Sequence, residues 1–104
     1  MVDNTLYCSG QIAINPNDGT LNNTDISTET NQVMQNLEAV LMKAEMTFDN
    51  VVKCSIFLKN MQQYGDVNKV YTQYFKDKPP AREAVEVSAL PKNVNVEISL
   101  IAVK

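Results

Sequence analysis

Short runs of apolar or alternating apolar and polar residues mark four segments of the chain, and they predict four β-strands. The first run is interrupted at Ser9-Gly10, where a glycine favours a bend or a bulge. The predicted strands cover residues 5–14, 51–58, 81–87 and 94–103.

A different spacing predicts two helices between these strands. Apolar residues recur every three or four positions over 33–44, which lays one stripe along a helix that begins near Asp25 or Ser27, both good N-caps. A second helix is predicted over 61–75. It ends at Pro79-Pro80, because two prolines cannot continue a helix.

The predicted order is strand, helix, strand, helix, strand, strand. This order favours an α+β fold, in which one mixed sheet carries both helices on one face. A chain of 104 residues corresponds to one domain spanning 1–104. Its core is thin, so association with other copies would stabilise it.

Strand periodicity predicts which side chains face the helices and which lie on the open face of the sheet. The helix-covered face is expected to be apolar, with Val52, Cys54, Ile56, Leu58, Val85, Val87, Val94, Val96, Ile98, Leu100 and Ala102. The open face is expected to mix apolar and polar groups, with Val51, Lys53, Ser55, Phe57, Arg82, Ala84, Glu86, Glu97, Ser99, Ile101 and Val103. Such a face is too apolar for water and too polar for a dry core, which predicts self-association through it and pockets at the subunit boundaries.

Charge and composition exclude several kinds of site. The net charge of −3 favours neither nucleic acid nor an anionic membrane as a partner. The chain has no histidine, which excludes Ser-His-Asp and Cys-His catalysis within one chain, as well as histidine-ligated metal. We therefore expect no metal site.

The ends and the apolar runs give no targeting signal. No basic region followed by an apolar run opens the sequence, and no apolar stretch reaches the ~20 residues of a membrane span. Cys8 and Cys54 lie in apolar runs, where a free thiol behaves as a small buried hydrophobe. The expectation is a cytoplasmic protein with reduced cysteines.

Several motifs resemble those of the Rid (YjgF-type) family, the reactive intermediate deaminases. The segment Pro-Ala-Arg-Glu-Ala-Val-Glu-Val-Ser-Ala-Leu-Pro-Lys over 80–92, followed by Glu97-Ile98, is similar to the family signature. Ser9-Gly10-Gln11 resembles its Ser-Gly-Gln motif, and Asn68 with the aromatic residues after it resembles its second helix. The resemblance covers essentially the whole chain in order.

The resemblance implies a chorismate-mutase-like fold, a homotrimer with clefts between adjacent subunits, and no cofactor. The implied activity is hydrolysis of small 2-imino or enamine acids to 2-keto acids and ammonia. By resemblance, Arg82 would hold the substrate carboxylate and Glu97 would position or activate water. The residues implied to contribute to the wall of the cleft are Ser9, Gly10, Asn68 and Ala84.

Three departures from the family pattern bear on this activity. Family members usually carry a Gly-Pro-Tyr motif in a segment before the Ser-Gly-Gln strand, and no such motif precedes Ser9 in this sequence. We therefore expect the cleft to be open at that point or closed by other residues. Ala84 stands where many relatives have cysteine, which leaves only backbone groups to act at that position. Glu83 stands where a small residue is usual.

Alternatives remain open at this stage. The chain could be a non-catalytic ligand-binding or regulatory trimer, or it could have the ribonuclease or translation-inhibiting activity for which members of this family are often named. Glu97 could form a structural ion pair with Lys53 or Arg82 instead of acting on water. Gly10 could serve only as a bulge, and the tyrosines of the second helix could serve only as packing.

Overall fold

The computed structural model describes all residues, 1–104, and has the predicted order of elements. Three short 3₁₀ turns accompany the main elements, at Phe48–Asn50, Met61–Gln63 and Pro91–Asn93. The four strands and two helices are β1 (Thr5–Gln11), α1 (Ile26–Lys43), β2 (Val51–Leu58), α2 (Tyr64–Thr72), β3 (Ala81–Glu86) and β4 (Val96–Val103).

The strands form one mixed sheet in the order β1-β4-β2-β3. β4 pairs antiparallel with β1 and with β2, whereas β3 pairs parallel with β2. Both helices pack on the same face, where alternate residues of β4 and β2 enter the apolar core. The predicted α+β arrangement is therefore confirmed, and β1 and β3 are its two edge strands.

β1 contains the predicted interruption but is shorter than predicted. Between Cys8 and Gln11 the register against β4 shifts by one residue, which is a β-bulge at Ser9-Gly10. The strand then ends at Gln11 and not at residue 14. The Asn36 amide of α1 donates to the carbonyls of Ile12 (3.0 Å) and Ile14 (2.9 Å), and these contacts draw the chain out of the sheet and onto the helix.

α1 begins where its capping residue predicts. The Asp25 carboxylate accepts a hydrogen bond from the Thr28 backbone N–H at 2.7 Å. One turn later, Glu29 is fully buried, and its two oxygens accept from the Asn95 backbone and side chain, each at 2.8 Å. A buried carboxylate needs such donors, and here they tie the start of β4 to α1.

The second helix is shorter than the predicted 61–75. Residues Met61–Gln63 form a 3₁₀ turn, and residues 73–75 continue with i→i+3 bonds after α2 has ended at Thr72. Periodicity does not separate α from 3₁₀ turns at helix ends, because both place apolar residues three apart.

The prediction for the start of β2 was wrong. A register shift lies between Val51 and Lys53, so Val51 is buried and Val52 is 48% exposed on the opposite side. From Cys54 onward the alternation follows the prediction.

The faces of β3 were also predicted wrongly, and this correction moves Arg82. Arg82 lies beside Cys54 and Ala84 beside Ile56, so both side chains are on the helix-covered face. Val85 lies beside Phe57 on the open face and is 44% exposed, and Val87 lies just beyond the strand.

Side-chain contacts agree with this register. The Glu86 carboxylate reaches the Met61 backbone N–H at 2.7 Å on the helix side, whereas Glu83 pairs with Lys53 at 3.4 Å on the open side. β3 is an edge strand in which both sides mix small apolar and charged residues, so it carries no clear apolar face from which its orientation could be predicted.

The remaining expectations concern the cysteines and the membrane. Cys8 and Cys54 are both buried and are not joined in a disulfide. Neither helix has the length and apolar character that crossing a membrane requires.

Candidate functional site

Arg82 lies against one face of α2, which is lined by Tyr64, Asn68 and Tyr71. These three residues are spaced i, i+4 and i+7, so they share one side of the helix. Arg82 Nη1 donates to the side-chain oxygen Oδ1 of Asn68, and Nη2 donates to the Tyr64 hydroxyl at 2.5 Å. We call this set of three residues the arginine cradle.

The two tyrosine rings of the cradle also contact the guanidinium. Its Cζ atom lies 4.9 Å from the ring centroid of Tyr71 and 5.5 Å from that of Tyr64. Both distances are within the range of a cation–π interaction. The guanidinium is therefore held by neutral acceptors and ring faces.

No carboxylate compensates the charge of Arg82. The two ion pairs of the structure are Lys53–Glu83 and Lys104–Glu45, and neither includes the arginine. Arg82 is half-buried and is the only arginine of the chain. A fixed cation without an internal counter-ion is well suited to bind an anion from solution.

The buried titratable groups next to the guanidinium are neutral. Burial raises the pKa of the Cys54 thiol, which keeps it in the neutral form. Burial also raises the pKa of Tyr71, and the neighbouring Cys54 thiol adds to this shift. Both groups therefore stay neutral beneath the guanidinium and leave its charge intact.

A pocket of about 330 Å³ opens beside the guanidinium. Its walls include the rings of Tyr71 and Phe75, Pro80, and the side chain of Lys76. This volume is at the lower end of the range for small-molecule sites. A ligand of a few carbon atoms with an acidic group fits its size and charge.

Glu97 lies on the other face of the sheet. It is half-buried in β4 beside Phe57 of β2, and its carboxylate rests against Gly10 of the β1 bulge. A Cβ atom on Gly10 would come closer to the Glu97 carboxylate than non-bonded atoms can approach. Glycine at this position therefore makes room for the glutamate.

Glu97 does not form the structural ion pair with Lys53 or Arg82 that the sequence left open. Lys53 pairs with Glu83, and Arg82 is on the opposite face of the sheet. The half-buried Glu97 carboxylate is thus left available on the open face.

The predicted site residues form two groups. Arg82, Asn68 and Ala84 lie on the helix side, with Asn68 binding the arginine and Ala84 packing partly against the core. Ser9, Gly10 and Glu97 lie at the bulge or on the open face, where Ser9 is exposed.

Arg82 and Glu97 are separated within one chain. Their strands, β3 and β4, are two strand spacings apart, about 9–10 Å, and the two side chains point to opposite faces. The expectation that these two residues share one face of the sheet was therefore wrong.

Sequence reasoning missed the roles of Tyr64 and Tyr71. Both were interpreted as packing residues, although their spacing with Asn68 places all three on one helix face. That spacing, together with the presence of a single arginine in the chain, is the signal that could have identified the cradle.

Comparisons with known proteins agree with the motifs. The sequence model of the family described as Endoribonuclease L-PSP matches residues 1–104. The human 2-iminobutanoate/2-iminopropanoate deaminase is 39% identical over 104 residues, which is 100% of this chain and 76% of the human protein. A putative regulator, AldR, of Lactococcus lactis is 45% identical over 102 residues, 98% of this chain and 81% of that protein.

A solved structure gives the same result for the fold. The crystal structure of a Rid-family protein of unknown function from Yersinia pestis superposes with a TM-score of 0.97 at 48% sequence identity. The match covers 100% of this chain and 83% of the other. The chain therefore belongs to the Endoribonuclease L-PSP family, the Rid family that its motifs indicate.

Proposed function

We propose that this protein hydrolyses small 2-imino acids, and the enamines that tautomerise to them, to 2-keto acids and ammonia. The observation that carries the proposal is the half-buried Arg82, which is fixed by neutral groups and lacks an internal carboxylate partner. The human deaminase, at 39% identity, supports the same class of reaction.

The chemistry asks little of the protein, because an imine already reacts with water. Arg82 binds the substrate carboxylate and places the C=N carbon near the active water. A carboxylate removes a proton from the water as its oxygen bonds to the carbon, and it returns that proton to the nitrogen, which gives a tetrahedral carbinolamine. The hydroxyl proton of the carbinolamine then passes to the amino group, the C=O bond forms as the C–N bond breaks, and ammonia leaves the 2-keto acid. Proton transfer by a positioned side chain typically contributes ~10²–10⁴-fold.

We assign the proton transfer to Glu97 of a neighbouring subunit. Within one chain Glu97 lies on the wrong face to reach a ligand bound by Arg82. A second copy that packs through its open face would bring its own Glu97 and Gly10 toward the edge strand that carries Arg82. A homotrimer with one cleft at each boundary satisfies this requirement in a closed ring.

The apolar groups of the open face support such an assembly. Tyr7, Val85 and Val103 are 66%, 44% and 42% exposed on that side of the sheet, next to the half-buried Phe57 and Ile101. These side chains form two apolar groups on one face, with Ser55 and Ser99 between them, and exposed apolar groups of this kind favour an interface.

Mixing two inactive variants tests the shared cleft directly. Arg82→Ala and Glu97→Gln are each expected to be inactive, and they are unfolded and refolded together in equal amounts. If each site takes its arginine from one subunit and its glutamate from the next, about one quarter of the sites in random trimers are intact. Deamination is followed as keto-acid release from 2-aminoacrylate generated by a dehydratase. A mixture as inactive as its components would refute the shared cleft.

A ligand-binding regulator is the second candidate function. The arginine cradle is complete within one chain, so binding of a carboxylate needs no second subunit. The putative regulator AldR, at 45% identity, carries a name of this kind. Binding of pyruvate that depends on Arg82, without deamination by any preparation, would favour this function.

The family's endoribonuclease description has weaker support in this chain. The net charge is −3, there is no histidine, and the single arginine is held in the cradle. A ribonuclease requires a cationic surface for phosphates. We therefore do not extend that activity to this protein.

A further inference from the structure

We propose that Tyr64 is a positioning residue for Arg82, and that its hydroxyl sets the orientation in which the guanidinium meets the substrate carboxylate. The inference rests on the proposed function of Arg82 as the carboxylate-binding group. It gives Tyr64 a role beyond packing at the start of α2.

The geometry of the cradle supports this role. Tyr64 Oη accepts a hydrogen bond from Nη2 of Arg82 at 2.5 Å, while the side-chain oxygen Oδ1 of Asn68 accepts one from Nη1. Each terminal nitrogen of the guanidinium thus has its own acceptor on α2. Two acceptors on one helix fix the rotation of the planar group, which one acceptor would leave free to pivot.

The bonds that Tyr64 and Asn68 make do not exhaust the donors of Arg82. A guanidinium has five N–H groups, so about three remain for a ligand, enough for two parallel bonds to a carboxylate. An arginine side chain loses considerable rotamer freedom when it binds an anion. A cradle that restricts this freedom in advance lowers the entropy cost of binding.

Tyr64 differs in this respect from Tyr74, which offers a matched control. The Tyr74 hydroxyl donates to the Asn31 side-chain oxygen, also at 2.5 Å, and its ring packs on Phe48. Both tyrosines are half-buried, and the hydroxyl of each forms one side-chain hydrogen bond, with Asn31 in the case of Tyr74 and with Arg82 in the case of Tyr64. Removing either hydroxyl is the same chemical change, but only Tyr64 contacts Arg82.

The first arm of the test is NMR of the arginine side chain in the absence of ligand. Because Arg82 is the only arginine, its guanidinium signals are unambiguous. In the native protein we expect separate Nη proton signals, because hydrogen-bonded Nη groups rotate slowly about their Cζ–Nη bonds. Tyr64→Phe should merge the Nη2 signals, and Tyr74→Phe should leave them resolved.

The second arm is binding of pyruvate and 2-oxobutyrate, measured by calorimetry. Tyr64→Phe should weaken binding roughly three- to tenfold, which corresponds to loss of one ordinary hydrogen bond. Deamination should show the loss mainly in KM. Tyr74→Phe should bind like the native protein.

A double-mutant cycle separates positioning from stability. In the Arg82→Lys background there is no guanidinium to orient, so Tyr64→Phe should cause no further loss. An equal loss in both backgrounds would show that Tyr64 acts through the fold alone, and would overturn the inference. Unchanged keto-acid affinity in Tyr64→Phe would overturn it as well.

Failure of the proposed function would give a different result. In that case Arg82→Lys would bind keto acids as the native protein does, or neither would bind them. The NMR arm would still report whether Tyr64 restricts Arg82.

Discussion

The two faces of the sheet differ in how much of the site each one completes. On the helix-covered side, Arg82 is already held by two hydrogen bonds and two aromatic rings from α2. On the open side, Glu97 has Gly10 and Phe57 beside it, and its carboxylate has no internal partner. One chain therefore fixes a cation on one face of the sheet and leaves a carboxylate without a partner on the other.

Under the proposed function, the reaction is divided between these two surfaces of the chain. Positioning an arginine requires rigid neighbours, and α2 supplies them within the chain. A carboxylate that acts on water needs a partly dry setting, which the open face has only when another copy covers it. Binding and chemistry should thus respond differently to changes on the two faces.

The largest effect is expected from Ile101→Asp on the open face. Ile101 lies between Tyr7 and Lys53 in the sheet, and a charge there would be buried by association. If the open face forms the proposed trimer interface, light scattering should show that the subunits separate, and deamination should fall below detection. The Nη proton signals of Arg82 should remain separate, because the hydrogen bonds that hold the guanidinium lie within one chain.

Met42→Asp is the control for this change, since Met42 is 67% exposed on α1, away from the sheet. It should leave assembly and activity intact. A trimeric, active Ile101→Asp protein would show that the open face is not the interface.

Glu97→Gln should have the next largest effect. The amide keeps the shape of the side chain but cannot accept the proton, so kcat should fall by about 10²-fold or more. Trimer formation and pyruvate affinity should remain close to native, because neither depends on the negative charge. Unchanged turnover would assign Glu97 a purely structural role.

Arg82→Lys tests the other face and should act on binding. A lysine cannot make two parallel hydrogen bonds to a carboxylate, which should cost on the order of 1.5–3 kcal/mol, or roughly ten- to a hundredfold in affinity. Calorimetry with pyruvate or 2-oxobutyrate measures it. Equal affinity in the two proteins would leave Arg82 without a binding role.

Gly10→Ala should have a smaller effect that arises only on the open face. The added methyl group would meet the Glu97 carboxylate and push it aside, so kcat should fall by about three- to tenfold with keto-acid affinity unchanged. Gly65→Ala is the control, because nothing lies within 4 Å of a Cβ atom built there. A normal kcat in Gly10→Ala would mean that Glu97 adjusts freely.

Neither face of the sheet should bind RNA. With a net charge of −3 and its single arginine held in the cradle, the chain should show no saturable RNA binding at physiological salt in a filter or fluorescence assay. Saturable binding that survives Arg82→Ala would contradict this and would revive the endoribonuclease activity.

Much of the fold could be predicted from the sequence because the central elements have strong patterns. β4 alternates buried and half-buried residues along nearly its whole length, so the face that each side chain occupies follows from the order of apolar and polar residues in the strand. The Asp25 cap and the apolar stripe of α1 act locally and set where that helix begins. The motifs around Arg82 and Glu97 were likewise sufficient to predict the family, and the family match confirms it.

The tertiary structure alone decided on which face each site residue lies. The orientation of β3 follows from its parallel register against β2, because an edge strand in which both sides mix small apolar and charged residues has no preferred face of its own. The bulge in β1 lies where Gly10 favoured one, whereas no local signal predicted the register shift at the start of β2, which moves the alternation by one residue. The motifs in the sequence thus identified Arg82 and Glu97 as the proposed site residues, whereas long-range pairing determined that their side chains point to opposite faces of the sheet.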